Sequence, residues 1–542
     1  MARAAGRCRP VYRSWIGQGA SAVLPMGTRA CQAYIPTFPR ACVAHTTESG
    51  MTGFLRALAI SLLMASAAHA QEMHDHGIPE KLGDVSFPIS CSPSVQKPFD
   101  RGIALLHSFA YGPAQKAFED IVAKDPSCAM AHWGLAMVFF HPVWAPSLPP
   151  DTFARGRAEA QAAARLPTSS PRERAYIHAL GQLYQDGNVK PGQRTLAYET
   201  AMAAVARDNP NDVEAQVFYA VALLSNASMA DKTHAKQKQA IAILDPLFRA
   251  HPDHPGIAHY LIHACDSAEL AQLGLPAARK YADIAPSAPH ALHMPSHIFT
   301  RLGLWDDSIR SNLASEKAAR DHGDTMGQLH AMDYLVYAYM QTGRDADAKA
   351  VIADLKRMHN LDMDDFAIAY AATAMPIREI VEQGHWTDAA SIAPPAGAPP
   401  SVVAIAEWAK GLGLARSGHP DEARAQAKRL DQIEAELKAS GDDYWSAQTG
   451  VLASEVKAWA AQASGDASGA VALMTDAAER EDRVEKRPVT PGPIVPAREQ
   501  LGELLLAQKQ PGPALAAFQN ALKQAPGRAG ALHGEKAAEA MH

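Results

Sequence analysis

Nine of the 23 histidines fall between His251 and His330, against about three for even scattering. Their spacing is as informative as their number. His259 and His263 stand four apart after Pro255-Gly256, and 34 residues later His293 and His297 stand four apart after Pro289. Four residues make about one helical turn, so each pair presents both rings on one face. His290 adds a third ring at the start of the second helix. Setting Gly343 on Gly303 then superposes His330 on His290, Asp333 on His293 and Tyr337 on His297. Three successive helices thus offer His/His, His/His/His and His/Asp/Tyr at matching heights.

Imidazole is the commonest protein ligand for late transition metals, and pairs on facing helices are a recognised way to build a site. The candidate metal donors are His259, His263, His293 and His297, with zinc, copper or iron as the ion. His290, His330, Asp333 and Tyr337 complete a ligand-binding face, Asp333 as oxygen donor or orienting group. The same rings also suit packing, satisfied by backbone carbonyls or by Tyr260, Tyr334 and Tyr337, or hydrogen bonding to a peptide or small anion. His259 to His263 lacks the Glu of HExxH, so zincin chemistry is unsupported. GxSxG, GxxxxGK[ST], GxGxxG after a strand and an EF-hand loop are all missing. Asp306-Asp307 and Asp364-Asp365 fall where acids favour a helix start. No catalytic residue is assigned, and the reading leans away from an enzyme.

Those histidines need rigid helices behind them. Gly303, Gly343, Gly384, Gly418 and Gly465 are each followed five residues later by a small residue: Ser308, Ala348, Ala389, Ala423 and Ala470. Gly ends one helix in the left-handed conformation, and the small residue lets the next helix pack closely. Recurrence at this interval indicates a solenoid of helix pairs. Leu501-Gly502, Ala514, Phe518, Ala521 and Pro526 carry a pattern that Ala114, Phe118, Ile121, Pro126 and Ala277, Tyr281, Ile284, Pro289 repeat in part. In these residues the chain resembles the tetratricopeptide repeat (TPR) family, over residues 98–528. The resemblance implies an all-α fold: a right-handed superhelix of antiparallel helix pairs, an α-solenoid whose concave groove binds a protein or peptide.

Composition sets the remaining bounds. The formal charge is −6, and residues 1–70, with seven Arg and one Glu, leave a still more acidic body. Nucleic acid and anionic membranes need clustered Lys and Arg, so neither is a fitting partner. Residues 51–70 read as a secretory signal: Arg56, an apolar run too short to span a bilayer, then Ala68-His69-Ala70. The expected location is the periplasm or the outside of the cell. Residues 1–50 read as an over-extended start or unstructured leader. Residues 71–97 read as an irregular tail, 98–393 as an N-terminal superhelix with the His-rich groove, and 394–542 as a C-terminal block. Pro/Gly-rich stretches at 391–400 and 486–496 break the array.

Cys91 and Cys128 are a candidate disulfide; the alternative is three buried thiols with Cys265. In the tail, Met73-His74-Asp75-His76 offers a second, solvated metal-capture motif. His107 and His132-Trp133 read as core or groove wall, as do Phe139, Phe140 and Trp144. The leading expectation is an exported binding scaffold; the alternative is a metal-binding protein or metal-dependent enzyme centred on residues 259–333.

Overall fold

The computed structural model describes residues 80–143, 148–185, 187 and 189–541. The leader, the signal stretch, Met73-His74-Asp75-His76 and Trp144 lie outside these. Among the described residues the regular structure is helix, an all-α solenoid of helix pairs from Gln96–His107 with Tyr111–Lys124 to Ala497–Ala507 with Pro511–Gln524. No helix among them is long and apolar enough to cross a membrane.

The repeated turns form for the reason the spacing gives. Gly303, Gly343, Gly384, Gly418 and Gly465 all have φ between 68° and 90°. Ser308, Ala348, Ala389, Ala423 and Ala470, five residues on, are each fully buried. The repeat-pattern residues are core: Phe118 and Phe518 are 0% exposed. A Cβ on Gly102 would meet the Phe118 ring at 2.8 Å, and one on Gly502 would meet Phe518 at 2.6 Å. The ring fills the space that a missing side chain leaves on the preceding helix, which brings the two helices close.

The apolar core falls into three clusters, spanning Leu82 to Phe299, Trp305 to Met375, and Ala369 to Ala538. The tail is irregular but anchored. Phe87 is fully buried and packs on Phe99, Trp133 and Tyr176. Asp84 N–H donates to Asp253 O at 2.9 Å. Cys91 and Cys128 are joined by a disulfide, Cα atoms 5.0 Å apart, tying the tail to the first repeats.

The Pro-rich stretch after Ala467–Asp482 does more than interrupt the array. It runs as an irregular strap, residues 483–496, in contact with earlier parts of the array. Tyr334 Oη faces Pro488 O and Thr490 O at 3.2 Å each, Arg378 donates to Pro493 O, and Lys486 reaches Asp266 at 2.9 Å. Beyond the strap the last repeats dock back: Trp305 Nε1 donates to Gly527 O at 3.0 Å, and Ala529 N–H to Gln341 Oε1 at 2.9 Å.

Candidate metal centre

Three helical segments supply the histidines. Pro255–Ala264 carries His259 and His263, residues 289–301 carry His290, His293 and His297, and Thr325–Gln341 carries His330. Pro295 has no N–H for the carbonyl one turn back, so the middle segment is broken at Met294 into Pro289–His293 and Pro295–Arg301. The six imidazoles sort into two triads, His259/His263/His290 and His293/His297/His330; within each, one donor atom per residue lies within 4.8 Å of the others. The triads adjoin, with ring centroids 6.2 Å apart for both His263–His297 and His290–His293.

Hydrogen bonding at the second triad fixes where the ring protons sit. His293 Nδ1 lies 2.6 Å from Asn312 Oδ1, and Asn312 Nδ2 in turn donates to Ser308 O, so the oxygen must accept. His297 Nδ1 lies 2.9 Å from Asp266 Oδ2. Burial alone would raise Asp266, but Lys486 and Arg301 beside it hold its carboxyl well below the usual range, so it too can only accept. Both rings therefore carry their proton on Nδ1. Burial, helped by Lys486, lowers both rings' basicity in spite of the Asp266 carboxylate and the Asn312 hydrogen bond, which favours the neutral form. Their Nε2 atoms face one another at 3.0 Å. Two lone pairs at that distance repel unless a cation lies between them. Two imidazoles on one tetrahedral ion, with metal–nitrogen bonds of about 2.0–2.1 Å, place their nitrogens about 3.3 Å apart.

The first triad repeats the design in part. His259 Nδ1 is 2.6 Å from His107 O, an obligate acceptor, which leaves its Nε2 lone pair facing His290 Nε2 at 3.2 Å. His263 is 8% exposed, and neither of its ring nitrogens has a hydrogen-bond partner. Such a group costs about 1–3 kcal/mol if nothing else binds it. Burial, then neighbouring histidines, push His259, His263, His290 and His330 well below the ordinary imidazole value. Neutral imidazole is the form that ligates.

Aromatic rings wall the site. Phe109 packs on His259, His263 and His290 at 4.4, 5.7 and 5.4 Å, and Tyr334 on His293, His297 and His330 at 4.8, 5.1 and 5.3 Å. Phe109 holds φ 54°, a strained value for a side-chain-bearing residue.

A third cluster, His107/Glu214/His254, has similar atoms and a different character. His254 Nδ1 accepts from Ile257 N–H, so its Nε2–H donates to Glu214 Oε1 at 2.9 Å. His107 Nε2 meets Glu214 Oε2 at 2.8 Å, and its Nδ1 meets Tyr260 Oη at 3.1 Å. Burial would raise Glu214; the two histidines hold it well below the usual carboxylate range. This is a closed hydrogen-bond network that fixes His107, whose carbonyl orients His259.

Several placements differ from the sequence expectation. His330 joins His293 and His297 instead of lying level with His290. Asp333 is in neither triad: it lies within the field of Arg378, and burial pushes its carboxyl up to about 6 despite that neighbour. Tyr337 packs on Trp305 and beneath Arg378, away from the imidazoles. The orienting roles belong to Asp266 and Asn312. Asp266 stands three residues past His263, and Arg301, which donates to it at 2.9 Å, stands four past His297; both follow the helical spacing of the histidines themselves.

No family model matches this chain, nor does any curated protein. Among solved structures it is similar to the APC/C hetero-tetramer Cut9–Hcn1, at 11% identity over 88% of this chain and 81% of that one with a TM-score of 0.33. It is also similar to yeast Tom70 (10% identity, 90% and 93% covered, TM-score 0.28) and the TPR domain of P58(IPK) (14%, 83% and 98%, 0.23). The solenoid assignment rests on this chain's own helix pairs, not on these scores.

Proposed function

We propose that this chain is an exported metalloprotein whose adjacent histidine triads hold a pair of late first-row transition-metal ions. The observation that carries this reading is the His293–His297 contact: two neutral rings, each with its proton tied to a fixed acceptor, turn their lone pairs on each other at 3.0 Å. Neither triad contains a carboxylate or thiolate. Hard ions such as magnesium and calcium want oxygen donors, so all-imidazole triads favour copper or zinc, and copper stands highest in the affinity order. Three ligands per ion would leave room for a further small ligand on each, and a copper pair held there would supply redox chemistry. Asp266 and Asn312 hold the second triad's rings, and Phe109 and Tyr334 pack against the imidazoles.

Two further observations support the reading over an open peptide groove. The chain's own strap, residues 483–496, bonds to Tyr334 on a His-bearing helix and to Asp266, the acceptor for His297. The disulfide Cys91–Cys128 suits an oxidising compartment, in keeping with export directed by residues 51–70.

The test is elemental analysis of untagged protein purified from the periplasm, before and after reconstitution with copper, zinc or iron. The expected result is two ions of one element per chain, with His263→Ala and His297→Ala each losing one, and a higher Tm on loading. Wild-type protein that stays metal-free after reconstitution, with no shift in Tm, would overturn the proposal.

A further inference from the structure

The strap and the helices around it bound a cavity that the metal centre leaves unused. It measures about 1300 Å³, part of it open to solvent, and the strap residues from Thr490 to Pro496 form one wall. Trp408, Trp445, Tyr370, Tyr444 and Tyr337 bring aromatic rings to it. Aromatic walls with a few charged groups are the usual make-up of a small-molecule site.

The charges on this wall are unevenly matched. Four basic side chains reach it, and the chain's own acids take each of them. Lys232 pairs with Glu485, Arg301 with Asp266 and Glu485, Lys486 with Asp266, and Arg498 with Asp482. Two carboxyls on the same wall, Glu455 and Glu481, form no ion pair among the described residues. Glu455 Oε2 accepts from Trp408 Nε1 at 2.5 Å, and Glu481 Oε2 accepts from Ala497 N–H at 2.8 Å. Glu481 is only partly buried, and its other oxygen takes no hydrogen bond among the described residues. Burial, and then Glu481, raises the Glu455 carboxyl; burial pushes Glu481 up to about 7, although Arg528 and Arg498 oppose it.

The rings show the same preference. Arg378 lies 4.6 Å over Tyr337 and Arg487 lies 4.5 Å over Tyr444, but among the described residues no cation covers Trp408, Trp445 or Tyr370. Such faces suit a cation and an apolar body alike. An anionic occupant would find no unpaired cation on the wall and would be repelled by both carboxyls. A positively charged occupant stabilises the ionised form of both acids, which burial otherwise disfavours.

We propose that this cavity binds a small organic amine, its ammonium on Glu481 with Glu455 adding negative charge, and its apolar body against Trp408, Trp445 and Tyr370. The site needs no metal and is independent of the histidine triads.

Isothermal titration of the full chain after chelation, which keeps an amine off any metal ion, tests this. The probe is phenethylamine, with 2-phenylethanol as its uncharged analogue and 3-phenylpropionate as an anionic one. The expected result is binding of phenethylamine, 2-phenylethanol weaker by about tenfold or more, and no binding of 3-phenylpropionate. Glu481→Gln keeps the side-chain volume and removes the charge. It is expected to bring phenethylamine down to the affinity of 2-phenylethanol. No binding of phenethylamine, either analogue binding as tightly as the amine, or an amine affinity that Glu481→Gln leaves unchanged would overturn the inference. The first two outcomes need only the wild-type chain, so a variant that fails to fold does not obscure them.

Discussion

At the scale of single residues, the centre depends on groups that never touch the ions. Asp266 accepts from His297 and is itself held by Arg301 and Lys486. Losing such an outer partner typically weakens metal binding by 10–100-fold, since the ring loses both orientation and basicity. Asp266→Asn is therefore expected to cost about that factor at one of two ions, read by competition with a chromophoric chelator, while the other ion holds. Equal weakening of both ions would mean that Asp266 acts on the fold and not on His297. The pattern of i, i+4 histidines was readable in the sequence because it is a property of one helix. The split into triads was not, because it depends on side chains from three helical segments meeting.

A second residue-scale prediction concerns pH. Glu481 lines the aromatic cavity, and burial pushes its carboxyl up to about 7 from an ordinary 4.5; Ala497 N–H, Arg528 and Arg498 oppose this and Asp482 adds to it. Glu455, raised by the same burial and by Glu481, faces the same space. A folded pKa above the unfolded one means that the folded chain keeps a proton which the unfolded chain has released. The stability Glu481 carries is thus full below about pH 4.5 and lost as pH rises to about 7. Glu481→Gln cannot lose it. The variant should match wild type near pH 4.5 and gain on it as pH rises towards 7. Urea midpoints across this range check it, and a difference that does not vary with pH would refute the assignment.

At the scale of elements, the repeated turn is the feature that the sequence declares most openly, since Gly and the small residue after it act within a few residues of chain. Gly343 has φ 69°, and a Cβ there would meet nothing within 4 Å. Gly343→Ala therefore isolates the conformational penalty, about 1–2 kcal/mol. Gly413 is the contrasting case, because a Cβ there would lie 2.6 Å from the Ala389 carbonyl carbon and closer still to Ala390 N. Gly413→Ala must push backbone away from backbone, so its cost should exceed that of Gly343→Ala clearly in chemical denaturation. Similar costs at both positions would show that the short helix Trp386–Ala389 is not docked as closely as the structure has it. The strap was visible only as a Pro/Gly-rich break. Composition says that such a segment will not be helix; it does not say what the segment will lie on.

At the scale of the whole molecule, the strap and the returning C-terminal repeats turn an open array into a closed one. Arg528 is the pin. It is 1% exposed, donates to Glu499 at 2.7 Å and to Ile494 O at 3.0 Å, and lies 3.4 Å from Glu382 on a helix far back in the chain. Removing one partner of a buried ion pair leaves an uncompensated charge and typically costs 3–5 kcal/mol. Arg528→Ala leaves two buried carboxylates, Glu382 and Glu499, without this guanidinium. The expected outcome is release of the last repeats from the helix Thr325–Gln341, which carries His330 and Tyr337. The radius of gyration in small-angle scattering should rise, while the helical circular dichroism, a property of local pairs, should change little. If closure also orders the strap over the inner face, the same variant should lose bound metal faster to a chelator. An unchanged radius with unchanged metal release would show that Trp305, Gln341 and the apolar contacts close the array without Arg528.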